Sequence, residues 1–375
     1  MVANPFIPKK LVGRQAELYQ VSAVLAADGD LLIAGVPGSG RRTLVQSAAE
    51  TVGARVIQID CLRAINSQRF LNLLAEGILS VFNSDPDLTI IQRWITDQPL
   101  MLETSADGRY RLTWQVTPMD TWPVFKALLA LPQAIAEALN CRVVILFQNF
   151  PHIRSWDRSE KWESYLRHEI QQQSRVSYAL IATVAESWVQ QSTMQVILLG
   201  PVKRDDLKPW VAEVTSNHGL EFDVPAMELF LDYIQGNVGD AIALLRRIWV
   251  DVQLHSHSLL PNANSIQVRP APPISISSKQ IHTSALALVE DLSLTFESLL
   301  LLLPSSQVRV LESLALDPTD SPHSREYIQK HHLSRGGGLQ GALASLQQKG
   351  LVYGPEHGYR ITMPLLSLWL KQQLA

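Results

Sequence analysis

The segment from Leu31 to Leu44 constrains the fold more than any other part of this chain. It runs from an apolar stretch through a glycine-rich turn into a helical pattern, and Gly35 and Gly40 have the spacing of G-x-x-x-x-G-K-S/T. This order predicts a strand, a phosphate-binding P-loop and a helix N-terminus. The candidate phosphate-binding residues are Gly35, Val36, Pro37, Gly38, Ser39, Gly40, Arg41, Arg42, Thr43 and Leu44.

Two side chains depart from the P-loop pattern. Arg41 takes the place of the lysine that reaches the outer phosphates, and it keeps the positive charge in a longer, forked form. Arg42 takes the place of the hydroxyl that binds Mg²⁺, and Thr43 carries a hydroxyl one residue late, about 100° round the helix. Since backbone N–H groups hold the phosphates, we predict phosphate binding with altered metal contacts. The alternatives are a bulged loop with Arg42 and Thr43 in the lysine and hydroxyl positions, and glycines that only form a tight turn.

A second motif of P-loop ATPases is also altered at the residues that bind Mg²⁺ and activate water. P-loop ATPases of the class with an added strand carry an apolar strand that ends in Asp-Glu, which orders Mg²⁺ and activates water. The matching run here, Arg142 to Phe150, has Gln148 and Asn149 at the acidic positions. An amide cannot act as a general base at neutral pH, so the sequence predicts weak or absent hydrolysis.

The chain alternates short apolar runs with helical patterns up to about residue 200. This alternation predicts an α/β fold with a parallel sheet. Between about 83 and 123 the pattern changes, and Ser105-Ala106-Asp107-Gly108 predicts an inserted β-hairpin with Trp94, Trp114 and Trp122 packed nearby. The predicted sheet strands are Leu31–Ala34, Ala54–Ile59, Val143–Phe147 and Tyr178–Val184.

The second half of the chain divides into three parts. Residues 201–255 have helical periodicity, with predicted helices over Arg204–Ser216, Pro225–Gln235 and Asp240–Val250. Residues 256–284 are rich in proline and serine and predict a linker. Residues 285–375 are helical again and end in a short β signal.

Composition excludes several classes of protein. The net charge of −3 does not favour a protein that coats nucleic acid, and two cysteines are too few for a disulfide framework. No apolar run approaches the length of a membrane span. We therefore expect a cytoplasmic protein without a membrane partner.

The chain resembles the AAA+ and STAND-type P-loop ATPases, in particular the archaeal origin-recognition-like and MNS-type group. The segment Val12 to Leu18 resembles the GRxxEL box of these proteins, with Gly13 and Arg14 as candidate nucleotide-binding residues. The stretch from Gly236 to Asp240 resembles the turn in their helical lid. The segments Gly341–Leu351 and Tyr359–Leu370 resemble their C-terminal winged helix.

The resemblance implies a P-loop domain over 1–200, a helical lid over 201–255 and a winged-helix domain over 285–375. It also implies ATP or ADP as the ligand, here without a requirement for magnesium, and an oligomer with an arginine supplied in trans from among Arg158, Arg167 and Arg175. Thr183 and Glu186 are both candidates for a sensor residue after the fourth predicted strand.

Three functions remain open from the sequence. The first is a nucleotide-binding regulatory or scaffold protein that has lost most or all hydrolysis and acts through a protein partner. The second is an active ATPase switch of the initiator or STAND kind. The third is a winged-helix DNA-binding regulator whose P-loop domain is purely structural.

The charge of the predicted winged-helix domain bears on the third function. Residues 285–375 contain seven basic and eight acidic residues, a net charge of −1. Because lysine and arginine contacts to phosphates supply most non-specific DNA affinity, this balance favours a protein partner over DNA. A local basic cluster is the feature that keeps DNA as an alternative; it consists of Arg325, Lys330, His331, His332 and Arg335.

Overall fold

A computed structural model describes residues 4–8, 10–106, 108–114, 121–170, 172–258, 273–334 and 336–374. By their internal contacts these fall into two compact units. The sheet unit comprises Gln15–Ala34 and Arg41–Leu198, and the lid unit comprises Met1–Arg14, Gly35–Gly40 and Leu199–Ala375.

The strands are β1 (Leu31–Gly35), β2 (Ala54–Asp60), β3 (Met101–Thr104), β4 (Tyr110–Thr113), β5 (Arg142–Gln148), β6 (Val176–Ala182), β7 (Gln195–Leu199), β8 (Leu220–Phe222) and β9 (Ile274–Ile276). The helices are α1 (Gln15–Ala26), α2 (Arg41–Thr51), α3 (Ser67–Val81), α4 (Asp85–Trp94), α5 (Trp122–Leu139), α6 (Lys161–Ile170), α7 (Arg204–Ser216), α8 (Val224–Ile234), α9 (Val238–Ser258), α10 (Ser278–Asp291), α11 (Ser293–Leu301), α12 (Ser305–Leu316), α13 (Arg325–Lys330), α14 (Gly337–Gln348) and α15 (Pro364–Leu374). No helix in the described ranges is long and apolar enough to cross a membrane.

A five-stranded sheet with the order β2-β5-β6-β1-β7 is the centre of the sheet unit. The pairs β2–β5, β5–β6 and β6–β1 are parallel, so their carboxyl ends meet at one edge, where ligands of open α/β sheets bind. The strands are nearly continuous apolar runs because helices cover both faces of such a sheet. This confirms the predicted α/β fold and its four strands, with small shifts at the ends.

Local signals set the helices that pack on this sheet. Asn66 precedes α3 and its side-chain oxygen accepts the N–H of Arg69 at 2.8 Å, which satisfies one of the free donors of the first turn. Phe70, Leu74 and Ile78 then recur at helical spacing and are buried in the core of the sheet unit.

The predicted insertion forms the expected hairpin. Strands β3 and β4 pair antiparallel, with Leu102 opposite Leu112, and Gly108 has φ +77° in the turn between them. Trp94, Trp114 and Trp122 are half-buried against the sheet-unit core, as predicted. Residues 107 and 115–120 lie outside the described ranges.

The prediction of a linker over 256–284 is wrong at its C-terminal end. Residues 274–276 form β9, which pairs parallel with β8, and Ser278 begins α10. Ile281 and Ala285 of α10 are fully buried in the same core as α8 and α9, because they recur at the spacing of one helix face. Residues 259–272 lie outside the described ranges.

Asp30, directly before β1, is a partly buried carboxyl group that makes a testable contribution to stability. Burial raises its pKa to about 7, although its Oδ1 accepts the N–H of Tyr178 at 2.8 Å, which acts in the opposite direction. Because the folded-state pKa lies above the unfolded value of 3.8, the folded protein holds an extra proton between about pH 4 and pH 7. This group therefore costs stability progressively as the pH rises through that window.

We expect Asp30→Asn to stabilise the protein at pH 8 by about 1–2 kcal/mol and to change little at pH 5. Asparagine keeps an acceptor for the Tyr178 N–H and has no charge to bury. Urea unfolding at both pH values measures the difference. An equal change at pH 5 and pH 8 would show that titration of Asp30 is not the cause.

Candidate nucleotide-binding site

The predicted phosphate loop, Gly35–Gly40, has the backbone that its glycines allow. Gly38 and Gly40 have φ angles of +83° and +84°, which side chains other than glycine rarely tolerate. The N–H of Ser39 donates to the carbonyl of Val36 at 3.2 Å and closes a turn. Pro37 and Gly38 are exposed at its tip.

Within the lid unit, neighbouring groups approach this loop closely. A Cβ at Gly35 would lie 3.0 Å from the Leu199 carbonyl oxygen, and a Cβ at Gly38 would lie 3.2 Å from Oδ1 of Asn237. The hydroxyl of Ser39 is buried and has no hydrogen-bond partner in the described part of the chain. Such a group is costly to bury unless a ligand or water satisfies it, so the loop has an unused donor at a place suited to an anion.

Gly13 and Arg14 also lie in the lid unit. Both have positive φ angles, and a Cβ at Gly13 would lie 2.7 Å from Cβ of Asp206. Arg14 is 4% exposed and donates from Nη2 to the carbonyl of Gly200 at 2.6 Å. In this structure Arg14 joins the N-terminal segment to the chain that enters the lid; its role as a nucleotide-binding residue stays a prediction.

Asn237 connects the lid to the winged-helix residues of the same unit. It is 7% exposed, its Nδ2 donates to the Thr362 carbonyl at 3.0 Å, and its Oδ1 accepts the Asp240 N–H at 3.1 Å. Oδ2 of Asp240 in turn accepts the Leu365 N–H at 3.1 Å, and burial raises the pKa of Asp240 to about 6. The residue closest to Gly38 is therefore also bonded to the segment that leads into α15.

In the sheet unit, Arg41 turns towards the protein. Its Nη1 donates to the carbonyl of Ala182 at the end of β6 at 2.9 Å, and burial lowers its pKa to about 10. Arg42 and Thr43 are exposed on the first turn of α2, and Leu44 is fully buried in the core. Of the two arginines, Arg42 is thus the one whose charge is open to solvent.

The altered acidic positions have a neighbour that sequence reasoning missed. Asp60 ends β2 beside Gln148 in the sheet register, and its Oδ1 accepts Nδ2 of Asn149 at 2.9 Å. The signal was an apolar strand that ends in Asp, but only the pairing of β2 with β5 brings it to this place. The same Oδ1 also accepts the Leu62 N–H at 3.1 Å.

Magnesium does not fit the described residues by the pattern that the motif requires. No cluster of three or more His, Cys, Asp or Glu side chains forms within the described ranges. The two positions after β5 are amides, and the position that would supply a hydroxyl is an arginine. Hard divalent cations prefer carboxylate and hydroxyl oxygens, which this site lacks at those positions.

The other candidate residues are placed as follows. Arg167 pairs with Glu163 and lies over the Trp188 ring at 4.4 Å, and Arg175 donates to Asn140 at 2.7 Å. Arg158 is exposed. Glu186 pairs with Arg154 at 2.7 Å, and Thr183 directly follows the end of β6.

The winged-helix region has less free positive charge than its sequence suggests. Lys330 and His331 both contact the carboxylate of Asp317, at 2.7 and 3.1 Å. Lys349, after α14, donates to Oε1 of Gln307 at 2.7 Å. Gln340 and Gln348 of α14 are exposed, and Arg335 lies outside the described ranges.

Comparisons with known proteins identify structures with a similar fold. A family model described as a probable winged helix domain matches residues 294–372, and no curated protein matches the chain. A Walker-type ATPase of Pyrococcus abyssi is similar over 98% of this chain and 99% of its own, with 12% identity and a TM-score of 0.62. The Aeropyrum pernix ORC2 protein, in ADPNP–ADP complexes, is similar over 99% of this chain and 98% of its own, with 13% identity and a TM-score of 0.54.

A third similar structure is the RuvB Holliday junction branch migration motor of Thermotoga maritima, with 14% identity, 96% of each chain covered and a TM-score of 0.50. At these identities the likeness establishes the fold. The chain shares the fold of these structures, with a parallel-sheet domain flanked by helices and a C-terminal winged-helix domain.

Proposed function

We propose that the protein binds ATP or ADP through the loop Gly35–Gly40 and hydrolyses it very slowly or not at all. The observation that carries this proposal is the combination of an intact loop backbone with amides at Gln148 and Asn149. The buried Ser39 hydroxyl, which lacks a partner among the described residues, supports a ligand at the loop.

Slow hydrolysis follows from the chemistry of the sheet edge. Loss of a positioned general base typically costs roughly 10²–10⁴ in rate, and an amide at Asn149 cannot take a proton from water. The Asn149 amide also donates a hydrogen bond to Asp60, so its Nδ2 group is already engaged within the protein. Arg42, exposed at the start of α2, supplies positive charge near the loop in place of a metal ion.

A regulatory or scaffold role is the second part of the proposal. Asn237 lies against Gly38 and bonds to Thr362 of the winged-helix region, so this side chain connects the loop to the winged-helix residues. A ligand that binds one conformation of the protein more tightly than another shifts the equilibrium towards the first, by an amount set by the difference between its two affinities. We propose that the winged-helix domain passes this change to a protein partner.

Equilibrium binding of labelled ATP with and without Mg²⁺ tests the nucleotide proposal. We expect binding that changes less than about threefold when EDTA replaces Mg²⁺, because amides replace both acidic residues of the motif after β5, and no turnover above the background. Magnesium-dependent turnover would instead establish the active ATPase switch.

DNA binding by the winged helix is the remaining alternative, and exposed α14 is the feature that favours it. A labelled duplex titrated at two salt concentrations tests it, with the charge-reversal variants Arg325→Glu and Lys330→Glu as controls. Salt-sensitive binding that both variants lose, without any ATP binding, would replace our proposal with the DNA-binding regulator.

A further inference from the structure

The inserted hairpin borders a groove in the sheet unit that the nucleotide proposal does not use. The groove has a volume of about 960 Å³ and lies between α3 and β4. Asn72, Glu76 and Leu79 line it on the helix side, and Tyr110, Arg111 and Thr113 line it on the strand side. Leu112, between these strand residues, is 6% exposed and anchors β4 in the core.

The register of the hairpin determines which main-chain groups of β4 face away from β3. The Ser105 N–H donates to the Arg109 carbonyl at 2.7 Å, which makes this a hydrogen-bonded position of the hairpin; the Ser105 carbonyl accepts the Gly108 N–H at 2.9 Å. Bonded and non-bonded pairs alternate along an antiparallel ladder. Arg111, opposite Glu103, therefore bonds to β3, whereas the N–H and C=O groups of Tyr110 and Leu112 point outward.

These outward groups have no hydrogen-bond partner among the described residues. The hydroxyl of Thr113, which lines the same groove, is buried and also lacks a partner in the described part of the chain. Main-chain donors and acceptors in such a place normally find a partner, and the edge of a strand is a template for another strand.

The charges of the groove favour one kind of occupant. Arg111 is exposed on the strand side. The one carboxylate among the groove-lining residues, Glu76, is neutralised by Arg69 at 2.8 Å and approached by Arg63 at 4.0 Å. The basic side chains around the groove thus outnumber the acidic ones, which complements an acidic ligand.

We propose that this groove binds an extended acidic peptide of a partner protein, which adds a third strand along the outer edge of β4. The N–H and C=O groups of Tyr110 and Leu112 bond to the peptide backbone, and Arg111 attracts its carboxylates. This is the strand-addition mode of peptide recognition, in which main-chain bonds give affinity and side chains give selectivity. It is independent of the phosphate loop, so it stands whether or not nucleotide binds.

A designed peptide tests the proposal with the full-length protein. The probe is a fluorescein-labelled peptide of about eight residues that alternates glutamate and valine, about the length of a strand. Its control replaces each glutamate with lysine. A second control consists of two peptides with N-methyl groups on alternate residues, one in each register, so that each peptide lacks the N–H donors of one edge. We expect anisotropy to show about tenfold tighter binding of the acidic peptide than of the lysine peptide. One of the two N-methyl registers should abolish binding.

Two variants at one position separate the backbone from the side chain. Tyr110→Pro removes the outward N–H, and proline is tolerated where an edge-strand N–H faces away from the sheet. Tyr110→Ala keeps that N–H. We expect the proline variant to lose the acidic peptide and the alanine variant to bind it.

Several results would overturn the proposal. These are equal binding of the acidic and lysine peptides, equal binding of both N-methylated registers, or no binding up to about 1 mM. Self-association of the free protein that Tyr110→Pro abolishes would also overturn it, because β4 would then pair with a second copy. The peptide controls decide the question even where the proline variant disturbs the hairpin.

Discussion

Glu163→Ala should destabilise the protein by roughly 3–5 kcal/mol, a large part of the free energy of unfolding of an ordinary domain. Glu163 is 1% exposed and receives two hydrogen bonds from Arg154, at 2.6 and 2.8 Å, and a third from Arg167. Burial acts to raise its pKa, but the two arginines outweigh this and hold the pKa below its usual value. Removal of the carboxylate leaves two partly buried guanidinium groups without their common partner.

Glu76→Ala is a matched control for this variant. Glu76 also has two arginine neighbours, but its side chain is 54% exposed. We expect it to lose at most about 1 kcal/mol, since water and salt screen an exposed ion pair. Urea unfolding of both variants measures the contrast, and similar losses would show that burial of the Glu163 cluster contributes little.

Gly40→Asp should weaken ATP binding at least about a hundredfold, or about 2.7 kcal/mol. Gly40 has φ +84° in the loop, and a Cβ there meets no atom within 4 Å, so the added side chain has room. Its carboxylate would lie where we propose that phosphates bind, and two like charges in one site repel strongly. Isothermal titration with ATP measures the loss.

Gly53→Asp separates charge at the loop from backbone strain. Gly53 has φ +69° and equally open surroundings, but it lies after α2 and outside the loop. Both variants should lose similar stability, about 1 kcal/mol, because both place a side chain in the left-handed region. ATP binding that falls equally in both variants, or in neither, would contradict the placement of phosphate at Gly40.

The sequence predicted those features whose signal lies in neighbouring residues. Apolar runs predicted strands β1, β2, β5 and β6, and the Asp-Gly turn predicted the hairpin. Strand β7 was not predicted, although four of its five residues are apolar; in the structure Val196 and Leu198 are exposed. The linker prediction failed at 274–284 because proline and serine content says nothing about the later pairing of Ile274 with Leu220.

The candidate site was predictable in its backbone and not in its side-chain contacts. Positive φ angles at Gly38 and Gly40 follow from glycine at those positions. The hydrogen bond from Arg41 to Ala182 spans 141 residues and that from Asn149 to Asp60 spans 89. No local sequence pattern predicts a bond between residues so far apart. Arg41, expected at the phosphates, has one of its donors committed to the protein itself.

The lid unit has a consequence for synthesis on the ribosome. Phe6 is fully buried among side chains of α7, α8 and α9, and the loop Gly35–Gly40 groups with residues after Leu198. Their partners leave the ribosome about ten seconds or more after them at the usual rates of roughly 5–20 residues per second. The nascent chain must therefore carry an exposed aromatic ring at Phe6 until the lid is made. A chaperone that binds the first residues has that interval in which to act.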